Sequence, residues 1–214
     1  MITRSDLWPP FGLVVTAGDL TLTPVSDDDL PGLVELALAG IHGPERMPFL
    51  VPWTTAPPEE LPRRYAQHYW EERAAFSGAH CNLDFAVRCD GELVGVQGFS
   101  GSDYPVVRTV ETGSWLVQRV QGRGIGTRMR QAICAFLFDH LGAAEVTSAA
   151  FVDNPASHSV SRKVGYVPNG RARLSRQGRV AVNEKLLLTP EAFVRGVPVE
   201  VAGAGPLRRF LGVE

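Results

Sequence analysis

The chain has 214 residues, 44% of them hydrophobic and 21% charged, with a formal net charge of −2. This composition is typical of a soluble globular protein with one well-filled core. The small net charge argues against a nucleic-acid or anionic-membrane partner, and no apolar run reaches the roughly 18 residues of a membrane span.

The cysteines and the N-terminus indicate a cytoplasmic protein. Cys81, Cys89 and Cys134 are odd in number and lack metal-ligand spacing, so we expect buried thiols in a reducing compartment and no metal site. Residues 1–12 include Asp6 and two prolines among few apolar side chains, a composition that does not fit a signal peptide.

The N-terminal part predicts two helices joined by an apolar loop. Residues 26–29, Ser-Asp-Asp-Asp, indicate a capped helix start, and apolar side chains then recur at helical spacing over residues 30–38. Residues 47–53 are apolar but interrupted by prolines, which predicts a packed loop rather than a strand. Residues 57–76 predict the second helix.

The following part predicts a hairpin and then strands joined by helices. Asp90-Gly91 separates two alternating segments and is a strong hairpin signal. The predicted strands are residues 83–88, 92–99, 109–117, 145–151 and 180–188, and the predicted helices between them are residues 124–141 and 155–163. This order favours an α+β fold with a mixed sheet.

We predict one domain over residues 1–188 and a C-terminal extension over residues 189–214. Within the extension, residues 197–201 alternate as a short strand and residues 206–211 favour a turn of helix. Such an added edge strand either folds over the core or forms a homodimer, and the sequence does not choose between them.

A glycine-rich segment starts the long predicted helix. Gly122, Gly124 and Gly126 let the main chain turn sharply and bring successive N–H groups to a helix N-terminus, which suits a pyrophosphate. Arg123 and Arg128 could add positive charge. The alternative is a strand-to-helix turn that binds nothing.

Three phosphate-binding designs compete for this segment. A Walker loop needs Lys-Ser/Thr after its last glycine, and Thr127-Arg128 stands there. A dinucleotide-binding fold, typical of NAD-dependent oxidoreductases, needs a glycine where Thr127 lies and an early β-α-β alternation, which the predicted hairpin strands do not provide. The third design resembles this sequence: Gln121-x-x-Gly124-x-Gly126 is similar to the acyl-CoA loop of the GNAT superfamily.

A second motif strengthens that resemblance. Residues 154–166, Asn-Pro-Ala-Ser-His-Ser-Val-Ser-Arg-Lys-Val-Gly-Tyr, resemble the Asn-x-x-Ser…Lys-x-Gly-Phe/Tyr segment of the RimJ/RimL branch of GNAT proteins. Trp115-Leu116 resembles the Tyr-Trp-Leu strand end of that branch, with Ser114 in place of the tyrosine. The loop of residues 47–53 resembles a sub-branch for which succinyl transfer has been suggested. The chain is therefore identified as a member of the GNAT superfamily.

The resemblance implies a GNAT fold, with a mostly antiparallel sheet that is flanked by helices and splayed between its fourth and fifth strands. It implies an acetyl-CoA or other acyl-CoA cosubstrate, succinyl-CoA included, whose pantetheine lies in the splay and whose pyrophosphate contacts the glycine loop. The donor-binding residues that it implies are Leu116, Val117, Gln121, Gly122, Arg123, Gly124, Ile125, Gly126, Thr127, Asn154 and Ser157. Asn154 also fits a purely structural role as the N-cap of the following helix.

The resemblance implies direct attack of an amine on the thioester, with positioning in a ternary complex as the main catalytic effect. Ser157 matches the serine proposed as proton donor to the leaving thiolate, although it could instead only bond the helix start. The glutamate that RimL-like proteins carry downstream is missing from residues 170–179, so Glu111 is the substitute base. The weaker base candidates are His42, Glu92 and Asp103.

A site without a strong base favours an acceptor of low pKa. An α-amine with a pKa near 8 is about a tenth neutral at pH 7, whereas a lysine is neutral in well under a thousandth. A protein N-terminus therefore fits, and a small-molecule amine fits equally well.

Four arginines in the predicted final turn leave two readings open. Arg171, Arg173, Arg176 and Arg179 form either a solvated hairpin face or a site for an anionic group on the acceptor or on a succinyl donor. A non-catalytic acyl-CoA-binding module remains the competing function, because the downstream glutamate is missing.

Overall fold

The computed structural model of this chain describes residues 1–213, and its main feature is a nine-stranded sheet. The strands are β1 (Val14–Ala17), β2 (Leu20–Pro24), β3 (Leu83–Cys89), β4 (Glu92–Ser100), β5 (Thr109–Leu116), β6 (Glu145–Phe151), β7 (Val167–Arg176), β8 (Arg179–Leu188) and β9 (Glu200–Ala202). The helices are α1 (Arg4–Leu7), α2 (Leu30–Ala39), α3 (Leu61–Ala75), α4 (Tyr104–Val107), α5 (Ile125–Asp139), α6 (Pro155–Val164) and α7 (Ala204–Leu211).

The sheet has the order β7-β8-β6-β5-β4-β3-β2-β1-β9 within these residues, and only the β5–β6 pair is parallel. The helix α5 makes the crossover that a parallel pair requires. The predicted α+β fold with a mixed, mostly antiparallel sheet is confirmed.

Helices cover both faces of the sheet. On one face, α5 and the strands form the larger hydrophobic core, in which Phe85, Phe99 and Phe136 meet with ring centroids about 6 Å apart. On the other face, Leu33 and Val34 of α2 and Tyr65 of α3 pack against the sheet. The apolar spacing in α2 and the alternation in the strands are what select these faces.

The predicted hairpin is present. Asp90 and Gly91 have φ values of +51° and +82°, and they join β3 to β4 as a two-residue turn with both residues in the left-handed region. This is the conformation that an Asp-Gly pair favours. The later predicted strands and helices up to residue 188 are also found, with each bound within two residues of its prediction. The strand predicted at residues 197–201 is found at Glu200–Ala202.

The structure differs from the predictions at four places. The hairpin of β1 and β2 was not predicted, and α2 begins at Leu30 because Ser26–Asp29 form a preceding turn in which the Asp29 carboxylate accepts from Ser26. The second helix begins at Leu61 rather than at residue 57. The segment predicted as a turn is the long strand β7, and the turn is confined to Gln177 and Gly178.

The C-terminal residues are integrated into the same body. The strand β9 pairs with β1, and the side chains of Leu207 and Leu211 belong to the larger core. We therefore infer that residues 189–213 complete the single domain. Among the described residues, no helix combines the length and apolar character needed to span a membrane.

Candidate active site

The central feature of the sheet is a gap between its two parallel strands. β5 and β6 pair only from Thr109 opposite Glu145 to Glu111 opposite Thr147. Both strands continue beyond this point, β5 to Leu116 and β6 to Phe151. We call the resulting gap the fork. The resemblance implied a splay after the strand that ends at Leu116, and the fork lies there. In this chain the two strands are the fifth and sixth rather than the fourth and fifth.

Side chains close the narrow end of the fork. The Thr112 hydroxyl donates to the Thr147 carbonyl at 3.1 Å, and the Ser148 hydroxyl donates to the Thr112 carbonyl at 3.1 Å. The Tyr166 hydroxyl lies 2.8 Å from that of Thr112. These bonds replace the main-chain ladder for one residue, so the sheet separates at a defined position.

The register of β4 and β5 shows which main-chain groups face the fork. The Val117 N–H donates to the Val94 carbonyl at 3.0 Å, and hydrogen-bonded pairs recur at every second residue of this antiparallel ladder. The main-chain groups of Ser114 and Leu116 therefore point away from β4 and into the fork. Sequence reasoning missed Ser114, although its place within the Ser-Trp-Leu motif was a signal.

The same reasoning applies to the other side of the fork. The Val152 N–H donates to the Val182 carbonyl at 3.0 Å, so residues 152 and 182 are a hydrogen-bonded pair at the end of the β6–β8 ladder. Every second residue of β6, counted back from Val152, therefore directs its main-chain groups towards β8. The main-chain groups of Ala149 and the N–H of Phe151 consequently face β5, whereas the Phe151 carbonyl accepts from the Asn154 N–H at 2.9 Å. An extended ligand with two amides, such as pantetheine, can bond to both rims of the fork as an added strand would.

The prediction for the main chain of Val117 is not supported. Its N–H is used by Val94, and its carbonyl accepts from the Val120 N–H at 3.2 Å. Leu116 retains an N–H that faces the fork, whereas its carbonyl accepts from Nε2 of Gln121 at 2.8 Å. The same Nε2 also donates to the Ile41 carbonyl at 2.7 Å, so the Gln121 side chain supports the loop.

The glycine loop lies at the open end of the fork. Gly122 and Gly124 have φ values of +76° and +83°, a conformation that residues with a Cβ rarely adopt. The N–H groups of Thr127 and Arg128 both return to the Gly124 carbonyl, at 3.1 and 3.2 Å. The main-chain N–H groups from Gly122 to Gly126 come before the first hydrogen bond of the helix, so the helix itself does not use them. The N–H group of Thr127 is already bonded to the Gly124 carbonyl.

The remaining loop residues have distinct roles. The Ile125 side chain is buried in the core and anchors the start of α5. A Cβ placed on Gly126 would lie 3.5 Å from Val160 and 3.7 Å from Leu116, so this glycine leaves a narrow passage into the fork. Arg123 is exposed beside the passage.

A second helix N-terminus faces the same opening. Asn154 caps α6, and its Oδ1 accepts from the Ser157 N–H at 3.2 Å. The Asn154 amide N–H groups stay available to a ligand, because only the oxygen takes part in the cap. Since β5 and β6 are parallel, both following helices begin at this edge, and their positive dipole ends suit an anion.

Other charged groups near the loop are paired within the protein. Arg128 forms an ion pair with Asp19, whose carboxylate also accepts from the Cys89 thiol at 3.2 Å. Asp19, Cys89 and Asp90 lie close enough together to resemble a metal site. The guanidinium of Arg128 already supplies the cation at this place, so we assign no metal to it.

The opposite face of the sheet carries a groove between α3 and β3–β5, with a volume of about 220 Å³. Gly98 and Gly113 are paired on neighbouring strands and leave its floor without side chains. Asp84 lies over Gly98, and burial raises the pKa of this carboxyl. Asp84 was missed, although a polar residue at an inward position of an alternating strand is a signal.

The predicted base lines this groove. Glu111 belongs to β5, its side chain is 47% exposed, and a carboxylate oxygen lies 3.7 Å from Nζ of Lys185. Of the weaker candidates, Glu92 is ion-paired with Arg119 at the strand turn, and the His42 ring bonds Thr54. Glu111 thus lies on the groove side of the sheet.

Aromatic side chains connect the apolar loop of residues 47–53 with the fork. The Trp53 ring lies 5.9 Å from that of Trp115 on β5 and 5.4 Å from that of Phe49. Trp115 alternates with Ser114 and therefore projects to the groove side. The loop thus forms one wall beside the place where an acceptor would meet the donor.

The four arginines do not converge on one point. Arg171 pairs with Glu184 at 3.0 Å, and Arg176 pairs with Asp153 at 2.6 Å above the Phe151 ring. Strand alternation places Arg171 and Arg173 on one face of the hairpin and Arg176 and Arg179 on the other. The reading of a single anion site is not supported.

Comparison with known proteins supplies a family match. A family model described as an acetyltransferase (GNAT) domain matches residues 19–167. The chain is also similar to a protein of Bacillus subtilis (strain 168) named "Putative ribosomal N-acetyltransferase YdaF", with 31% identity over 84 residues. That match covers 39% of this chain and 45% of the relative, so less than half of the relative's length is compared.

Solved structures show the same fold. RimL, described as a ribosomal L7/L12 alpha-N-protein acetyltransferase in complex with coenzyme A, has a TM-score of 0.69 and 19% identity over 84% of this chain and 99% of its own. Mycobacterium smegmatis RimJ, in complex with a CoA disulfide, has a TM-score of 0.74 and 21% identity over 94% of this chain and 95% of its own.

Proposed function

This chain belongs to the GNAT acetyltransferase family, and we propose that it is an N-acyltransferase that moves an acyl group from acyl-CoA to a primary amine. The acyl group that we favour is acetyl. The resemblance to the RimJ/RimL branch agrees with the solved structures. The dinucleotide-binding reading of the glycine loop does not agree with this family.

The observation that carries the proposal is the fork with a glycine loop at its open end. The main-chain groups of Ser114 and Leu116 face Ala149 and Phe151 across a gap that no strand fills. A pantetheine arm in this gap would gain main-chain hydrogen bonds on both sides. Its pyrophosphate would then meet the N–H groups of the loop and the start of α5.

The reaction consists of bond formation and bond cleavage at the thioester carbon. The amine nitrogen attacks that carbon, the C–N bond forms, and the C–S bond breaks with its electron pair on sulfur. Glu111 would take the proton lost by nitrogen, directly or through water, and release it to solvent. Ser157 would donate its hydroxyl proton to the thiolate and regain a proton from water. Since a thiol pKa is near 8.5, this second transfer contributes only modestly.

The groove suits a cationic acceptor. Its lining includes the acidic side chains of Asp84, Glu72 and Glu111. Arg73 also lines it and is ion-paired with Asp27. Gly113 of its floor lies two residues before Trp115 on the same face of β5. Ammonium groups are attracted by carboxylates and by aromatic faces. A peptide N-terminus and a small-molecule amine both meet these requirements, and the bare floor over Gly98 and Gly113 leaves room for an extended chain.

Release of free CoA thiol from acetyl-CoA tests the proposal, using a panel of N-terminal peptides and small amines. We expect amine-dependent thiol release and an acylated product detected by mass spectrometry. Binding of acetyl-CoA without product formation on any acceptor would instead identify a non-catalytic acyl-CoA-binding module. Failure to bind CoA at all would contradict the proposed function.

The acyl group is tested in the same assay. Acetyl-CoA and succinyl-CoA are compared at equal concentration on one acceptor, and we expect the higher kcat/KM with acetyl-CoA. A preference for succinyl-CoA would assign the alternative donor. The variant Arg179→Gln provides a control for the arginine hairpin, which we expect to be indifferent to the donor.

A further inference from the structure

A buried charge at the fork has neutral hydrogen-bond partners. Arg130 of α5 is 4% exposed. Its Nε donates to Oε1 of Gln97 at 3.1 Å, its Nη1 to Oγ of Ser148 at 3.1 Å, and its Nη2 to Oγ of Ser114 at 3.0 Å. An amide and two hydroxyls therefore hold a full positive charge.

The titratable groups beside Arg130 are neutral as well. The Tyr166 ring centre lies 6.0 Å from the guanidinium carbon, and the Tyr166 hydroxyl lies 3.5 Å from the Cys134 sulfur. Burial raises the pKa of the Cys134 thiol to about 11 and that of Tyr166 well above its usual value. Over residues 1–213, no carboxylate forms an ion pair with Arg130.

An uncompensated buried cation is costly for a fold. An apolar side chain would cover this part of the sheet at lower free energy, because the charge loses its water without gaining an anion. Buried charges of this kind concentrate at functional sites, where the field that they create is used.

The three hydrogen bonds span the fork. Ser148 on β6 directly follows the last paired residue of its strand, and Ser114 on β5 lies three residues beyond that of its own. Gln97 lies on the neighbouring strand β4. Ser114 also directs its main-chain N–H into the fork. The guanidinium consequently lies beneath the gap, on its α5 side.

We propose that Arg130 is a positioning residue for acyl transfer, which holds Ser114 and Ser148 on the two rims of the fork and places a positive charge beneath the thioester. This inference rests on the proposed function, because it requires the thioester to lie in the fork. It adds a source of transition-state stabilisation beyond Ser157 and Glu111.

The charge acts where electrons accumulate during the reaction. As the amine attacks, the carbonyl oxygen gains negative charge; as the C–S bond breaks, the electron pair moves to sulfur and the thiolate is then protonated. A unit charge about 6 Å away, at an effective dielectric constant of about 20, changes such an equilibrium or rate about 100-fold. This is the size of effect expected for Arg130.

The pKa of the CoA thiol bound in the fork provides a direct test. CoA is bound to the wild type and to Arg130→Met, and thiolate formation is followed by ultraviolet absorbance against pH. We expect the bound thiol to have a pKa about two units higher in the variant, with Arg130→Lys in between. Arg195→Met removes a surface arginine that pairs with Asp139 and serves as the matched control.

Turnover provides the second readout. Arg130→Met is expected to lower kcat about 100-fold at saturating donor, while the Kd of CoA changes less than threefold. Equal thiol pKa values in the wild type and Arg130→Met, with CoA bound to both, would overturn the proposal. A loss confined to donors with a carboxylate on the acyl group would also overturn it, and would assign Arg130 to acyl recognition.

A second variant covers the case in which Arg130→Met does not fold. Ser114→Ala keeps the guanidinium but removes its bond to β5, so the charge is no longer held against this rim of the fork. We therefore expect the pKa of the bound thiol to rise, by less than in Arg130→Met. No rise in this variant would equally contradict the proposal. If the wild type does not bind CoA, the proposed function fails first, so the two failures are distinct.

Discussion

Replacing Asn154 separates the helix cap that the structure shows from the contact with the donor that we propose. The Oδ1 atom caps α6 through the Ser157 N–H, and the amide N–H groups are free to bond the pantetheine arm. Asn154→Asp keeps the capping oxygen and removes the donor, whereas Asn154→Ala removes both. Asn154→Asp also adds a negative charge near the anionic donor, so its CoA affinity should fall at least as far as that of Asn154→Ala. Only Asn154→Ala should lose stability.

The magnitudes follow from these bonds. Loss of the cap costs about 1 kcal/mol, which lowers the Tm of a chain of this size by about 2–4 °C, while aspartate caps as well as asparagine. Loss of one neutral hydrogen bond of about 1 kcal/mol weakens CoA binding about fivefold. We thus expect Asn154→Ala to lose both stability and affinity, and Asn154→Asp to lose affinity alone.

Differential scanning fluorimetry and isothermal titration with CoA measure the two quantities on the same samples. Wild-type affinity in Asn154→Asp, together with reduced Tm in Asn154→Ala, would refute the contact with the donor and leave Asn154 as a cap only. Equal Tm values in all three proteins would refute the cap.

Four further variants test other parts of the site and one ion pair outside it. Gly124→Ala places a Cβ on a residue in the left-handed conformation, so it should destabilise the fold by about 1–2 kcal/mol. It should also weaken the binding of CoA more than that of pantetheine, because pantetheine lacks the pyrophosphate. Equal weakening of the binding of both ligands would contradict the anion site. Glu111→Gln should lower kcat at least tenfold without changing the Kd of CoA, and Ser157→Ala less than tenfold, as measured by thiol release; unchanged rates would remove both roles. Burial would raise the pKa of Asp29, but hydrogen bonds from Ser26 and Arg88 outweigh burial and hold the pKa below its usual value. The stability that this carboxylate adds is therefore present at pH 7 and is lost as the pH falls below about 4. Urea unfolding should accordingly show a gap between the wild type and Asp29→Asn at pH 7 that closes in acid, and a constant gap would contradict this.

Much of the fold around the fork was predictable because local signals agreed there. The Asp90-Gly91 turn defined β3 and β4, and the glycine loop and Asn154 marked the starts of α5 and α6. In each case, residues that favour a turn or a helix start stand where the spacing of the apolar side chains changes. The motifs that indicated acyl-CoA binding lie in these same segments.

The strand β7 could not be predicted from hydrophobic periodicity. Residues 167–171 are all exposed, and its other side chains include two further arginines, so no apolar face marks it as a strand. It exists because it pairs with β8 along the edge of the sheet. Tertiary pairing thus overrides a sequence that is typical of a loop.

The details of the site depended on register, which sequence does not reveal. Whether Val117 or Ser114 faces the fork is decided by which residues of β5 pair with β4, and a shift of one residue would exchange them. Arg130 had a readable signal: it lies three residues before Ile133 and four before Cys134, on the buried side of α5. A charge at an inward helical position is uncommon unless it has a use.

The narrow pairing of β5 with β6 also has a consequence for how the protein unfolds. Six strands from β9 to β5 and three strands from β6 to β7 share only three residue pairs within the sheet. Local opening at this seam would expose few main-chain hydrogen bonds, which makes the two parts candidates for separate folding units. A cosubstrate that bonds to both rims would join them into one, so that amide hydrogen exchange along β5 and β6 should slow together on its addition.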